Sequence, residues 1–153
     1  MPDLRRRAVS LLRRAWVPEC VGFFLVLWQE AVRLELRSAH RILPIPSSLT
    51  ELYYFQFGDF VNGYINAFIV DGLTDWFRSR RDTSRTLTTL AKQRQAVAAT
   101  IVSIAVIAAV ELIPNAFNNA DWRDIPAGVA GALLYLGIRL LALRWQRAAN
   151  ASG

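Results

Sequence analysis

Four stretches poor in charge, near residues 16–32, 55–77, 96–114 and 125–143, alternate with arginine-rich connections, and this alternation limits the possible folds more than any other feature. A helix that crosses a hydrocarbon core about 30 Å thick needs roughly 20 mostly apolar residues. Residues 96–110 and 125–138 hold no charge at all, whereas the first and second stretches carry acids within them. The pattern predicts an all-α, polytopic membrane protein: one domain over residues 1–153, with helices at about 16–40, 55–77, 96–114 and 125–145 and a polar connection at 78–95.

Composition agrees, since 54% hydrophobic residues and a mean hydropathy of +0.25 are high for a small soluble domain that is also 20% charged. A net charge of +6 and a pI near 10.4 would suit nucleic acid. Membrane topology accounts for the same charge without a nucleic-acid partner, because the basic residues are sorted by position. Fourteen of the 18 Lys and Arg residues fall in the N-terminal segment, the 78–95 connection and the C-terminal end, and four in the two intervening connections. The bias puts both termini on the cytoplasmic side.

Arg5–Arg7 and Arg13–Arg14 ahead of the apolar run 21–28 resemble the start of a signal sequence, but no small-x-small cleavage site follows. The segment reads as an uncleaved anchor that becomes the first helix. Cys20 and His40 are each the sole residue of their type, so cysteine-cluster metal sites and intramolecular disulfides are excluded. No haem or other cofactor is expected within the chain, although bound lipid is compatible with it.

Arg33, Arg37 and Arg41 recur every four residues, so a first helix continued to about Ile42 lines them on one face just outside the membrane. There they could meet lipid phosphates or an acidic partner. The alternative is a solvated extension with pairs such as Glu30 to Arg33. Pro44, Pro46, Ser47 and Ser48 then mark a short outer loop, and Tyr53, Tyr54, Phe55 and Phe57 suit an interfacial aromatic belt.

Asp59, Asn62, Asn66, Asp71 and Asp75 lie in a second stretch otherwise rich in Phe, Ile and Val, and charges at membrane depth need partners or water. Asp59, Asn62 and Asn66 fall within about 60° on one face of a helix, with Asp71 and Asp75 together on another. Polar residues on two faces predict a central, protein-covered helix. At 1.5 Å per residue, Asp71 and Arg139 both lie about 21 Å below the outer starts of their helices. Arg139 is therefore expected to form a buried ion pair with Asp71 or Asp75.

At the opposite face Asp59, Glu111, Asp121 and Asp124 would converge, with Asn62 nearby, as a candidate polar site for a cation, a proton or a lipid-linked headgroup. The structural alternative gives Asp121 and Asp124 to helix capping ahead of Pro126, and pairs Glu111 with Arg123, Asn115 or Asn118. No serine-nucleophile motif, phosphate loop or zinc spacing accompanies these acids, so no catalytic residues are assigned. Ala127, Gly128, Gly131 and Ala132 give two small-x-x-x-small spacings in the fourth helix, which allow close helix packing.

Glu111-Leu112-Ile113-Pro114, with the later run from Asp124 through Ile125, Pro126, Ala127, Gly128, Val129, Ala130 and Gly131, resembles the last two helices of VanZ-like membrane proteins. Asp59 is similar to the acid opening that family's Asp-Lys-x-x-His entry to helix two. The resemblance covers residues 58–139 and departs from the family at Phe60, Gly63, Pro114 and Gly128, where the family tends to have Lys, His, Gln and Asn. It implies a four-helix fold, Glu111 and Asp124 as matched positions, and a place in the bacterial cytoplasmic membrane. Two functions are expected from all of this. One is a non-enzymatic accessory or structural subunit packing against other membrane-protein subunits. The other is a VanZ-like envelope protein that binds or processes a lipid-linked precursor through its outer carboxylates.

Overall fold

The computed structural model describes residues 16–39, 46–81, 88–113 and 122–151. They form four helices: α1, Val17–Ser38; α2, Ser47–Arg81; α3, Thr89–Leu112; and α4, Ile125–Ala151. Two of them, Thr89–Leu112 and the Ile125–Ala148 part of α4, are long and apolar enough to cross a membrane.

Helix ends follow local chemistry. Pro18 occupies the first turn of α1, where an amide hydrogen is not needed, and Glu19 and Arg37 sit at the ends that suit the helix dipole. Thr88 caps α3 by accepting from the Ala91 amide at 3.3 Å. The Asp124 carbonyl accepts from the Gly128 amide at 3.2 Å, so Asp124 stands at the entrance of α4 with Pro126 just inside.

The second helix corrects the sequence reading at its start. Ser47 and Ser48, expected in an outer loop, are the first residues of α2, because the Pro46 carbonyl takes the first helical bonds from Leu49 and Thr50, both at 3.0 Å. Asp59 thus lies more than three turns inside the helix. The last helix is likewise longer than expected, running to Ala151.

α2 packs against each of the other three helices and α4 does the same, so these two form the central pair on which α1 and α3 rest. Glycine makes the α2–α4 contact possible. A Cβ at Gly63 would overlap the Gly128 carbonyl oxygen, and one at Gly131 would overlap that of Phe60. Backbone meets backbone there, and Ala132 continues the contact fully buried. Below it Tyr64 and Tyr135 cross edge to face at 5.6 Å, while Phe23 of α1 stacks on Phe68 at 4.9 Å.

Buried charges sit beside an apolar core while large apolar side chains face outward. The largest fully buried side chains are Arg139, Tyr64, Tyr135, Leu143, Glu19, Asp71 and Ser103, whereas Phe24, Leu25, Trp28, Ile101 and Leu133 are more than half exposed. Soluble domains do the reverse with their charges.

Candidate functional site

One hydrogen-bonded cluster joins all four helices at the level of Arg139. Its Nε donates to Asp71 Oδ2 at 3.1 Å and its Nη1 to Glu19 Oε1 at 2.8 Å, linking α4 to α2 and α1. Tyr135, one turn earlier on α4, donates its hydroxyl to the same Asp71 oxygen at 2.6 Å. From α3, Gln95 Nε2 donates to Asp71 Oδ1 at 2.7 Å, and Gln95 Oε1 accepts from Arg78 at 3.3 Å. Glu19, Asp71 and Arg139 are 0%, 0% and 2% exposed, so these are interior charges and not a solvated rim.

Trp16 closes the cluster from the side. Its ring lies 3.9 Å below the Arg139 guanidinium carbon, and its indole N–H donates to Asp75 Oδ2 at 3.2 Å. Its backbone is left-handed at φ 68°, which is unfavourable for a bulky side chain, so these tertiary contacts must offset the strain.

Formal charge does not balance within the innermost set. One guanidinium faces two carboxylates, and Glu19 Oε2 is buried with no hydrogen-bond partner. Asp71, by contrast, is saturated by donors from α3 and α4. Asp71 is the organising acceptor, and Glu19 is the less completely satisfied of the two acids.

The expected pairing of Arg139 with one of two aspartates therefore takes a specific form. Asp71 makes the contact, and Asp75, a turn further on, is occupied by Trp16 instead. Glu19, Gln95, Tyr135 and Trp16 were not anticipated as members. The depth register that matched Arg139 to Asp71 would have flagged Glu19 and Gln95, since both stand in the first two turns of helices that start on that same side.

Of the acids in the candidate polar site, Asp124 and Glu111 each lie near enough to act electrostatically on Asp59, and all three are half-buried. Asn62 lies exposed on α2, and Asp121, with His40, Pro44, Asn115 and Asn118, is outside the described residues. Among the described residues no group of three His, Cys, Asp or Glu side chains could hold a metal ion. The small residues of α4 divide as well: Gly131 faces α2, Gly128 faces Ile107 of α3, and Ala132 is buried, while Ala127 lines a groove with Phe57 and Phe60.

Of the two readings of Arg33, the structure shows the pair with Glu30, though buried and not solvated. Arg33 is 6% exposed, clasps the Glu30 carboxylate with two nitrogens and donates a third bond to the Tyr54 carbonyl, packing over Gly58. The i,i+3 spacing lets the Glu30 carboxylate take the guanidinium before a phosphate could, and α2 then covers it. Arg37 remains exposed with its guanidinium carbon 5.2 Å from the centre of the Phe55 ring, and Arg41 is outside the described residues.

No protein-family model matches the chain, and no curated protein or solved structure matches it.

Proposed function

We propose that this chain is a non-enzymatic integral membrane protein of four transmembrane helices, with both termini cytoplasmic, that serves as an accessory or structural subunit packed against a larger membrane-protein complex. Large outward-facing apolar side chains around a core that holds buried charges carry this reading. Phe24, Leu25 and Trp28 on α1, with Ile101 on α3, suit lipid tails or apolar subunit faces and would be costly in water. Arginine bias supports the orientation and a cytoplasmic-membrane location. The interior charges support a structural role, because Arg139, Asp71 and Glu19 are spent on one another and line neither the groove between α3 and α4 nor the one beside Ala127.

A second reading rests on Asp59, with Asp124 and Glu111 near enough to act on it electrostatically, as a polar patch that could meet a headgroup. It is the VanZ-like alternative, a cell-envelope protein acting on a lipid-linked precursor. Purification in mild detergent followed by native mass spectrometry separates the two. Stoichiometric foreign subunits support the accessory role, and a monomer retaining an anionic precursor supports the alternative.

A further inference from the structure

A groove of about 450 Å³ runs between α3 and α4, lined by Gln93, Arg94, Val97, Ala98, Ile101, Leu140 and Arg144. Its chemistry is graded along its length. Arg94 and Arg144 reach it from separate helices, and Gln93 adds an amide donor. Val97, Ala98 and Ile101 continue from Arg94 at helical spacing, so the apolar floor extends about 10 Å from the charged level toward the bundle's middle.

Several other cations of the described residues are engaged. Arg139 and Arg33 are buried in ion pairs, Arg78 binds Gln95, and Arg80 stacks on Trp76 at 4.0 Å. Arg94 and Arg144 are exposed, no ion pair engages either among the described residues, and no acid lines the groove. Two converging guanidinium groups above an apolar trough match one partner, an amphiphile with an anionic phosphate head and a hydrocarbon tail.

We infer that the α3–α4 groove is a binding site for one anionic phospholipid of the cytoplasmic leaflet. Arg94 and Arg144 hold its phosphate, and an acyl chain lies along Val97, Ala98, Ile101 and Leu140. The inference rests on the proposal that α3 and α4 span a membrane with this end cytoplasmic. An isolated arginine would merely extend toward headgroups. Convergence of two from different helices on a single trough is what gives a site.

The test is native mass spectrometry of the full chain in detergent micelles, titrated with phosphatidylglycerol or phosphatidylcholine. Phosphatidylglycerol should be retained about twenty-five-fold better, as two arginines each worth about fivefold near an anionic headgroup would give. Arg94→Gln with Arg144→Gln should abolish that preference. Arg80→Gln with Arg147→Gln, which removes equal charge elsewhere, should keep it. Ala98→Phe fills the trough with both arginines left in place and should also reduce retention. Equal retention of the two lipids, an unaltered preference in the Arg94/Arg144 variant, or full competition by inorganic phosphate would each overturn the lipid site. Resistance of the chain to carbonate extraction is scored in parallel. A chain that stays in the membrane without lipid preference defeats this inference alone, and an extractable chain defeats the membrane proposal beneath it.

Discussion

Arg139 Nε lies 3.1 Å from Asp71 Oδ2, joining residues 68 apart in the chain inside a bundle that exposes many large apolar side chains. The pair gains its weight from what surrounds it. In a low-dielectric interior an ion pair stripped of one member leaves the other charge uncompensated, which costs far more than the intact pair contributes.

Arg139→Leu should therefore destabilise the bundle by about 3–5 kcal/mol, because it strands Asp71 and Glu19 together. Adding Asp71→Asn and Glu19→Gln to it should recover much of the loss. Unfolding midpoints in a dodecyl sulfate titration from mixed micelles provide the measurement. A near-wild-type midpoint for Arg139→Leu alone would show that the buried charges are hydrated or otherwise neutralised.

The two acids should not be equivalent. Asp71 accepts from Gln95, Tyr135 and Arg139, so an amide in its place must set its NH2 against one of these donors, and Asp71→Asn should cost about 3 kcal/mol. Glu19→Gln keeps the acceptor facing Arg139 and removes the surplus charge, so its cost should be about 1 kcal/mol or less. The same titration checks the order, and a reversed order would contradict Asp71 as the organising acceptor.

Glycines should sort by what their missing Cβ would meet. Gly63→Ala and Gly131→Ala push backbone against backbone between α2 and α4 and should lose about 1–3 kcal/mol. Gly72 and Gly137 face open space, so alanine there should be neutral or stabilise by up to about 1 kcal/mol through helix propensity. Thermal unfolding of the four variants in one detergent reads the contrast directly.

Topology has a direct chemical readout in a Cys20→Ser background. A cysteine at 123 should react with an impermeant maleimide in intact cells, whereas one at 84 should react only after permeabilisation. Labelling at 84 in intact cells would reverse the proposed orientation.

Much of the helical layout was legible beforehand because uncharged runs and arginine clusters are local properties. The α2 start was misread because Pro-x-Pro followed by two serines signals a loop, while Pro46 in fact supplies the carbonyl that opens the helix. The Glu30–Arg33 pair was legible from i,i+3 spacing, but its burial was not: the spacing of Arg33 with Arg37 and Arg41 describes a face, not whether Tyr54 of α2 will cover it.

Alone, the sequence determined that the chain is helical, which helices are the most apolar, and that Arg139 and Asp71 share a level, since composition and rise per residue require no knowledge of neighbours. Tertiary structure decided which of two aspartates meets Arg139, that Glu19 and Gln95 join them, and that α2 is what Gly131 of α4 touches. Those outcomes depend on the rotation of each helix about its own axis. Backbone contact at Gly63 and Gly131 fixes that rotation for the central pair, and only then do the buried charges have one way to be satisfied.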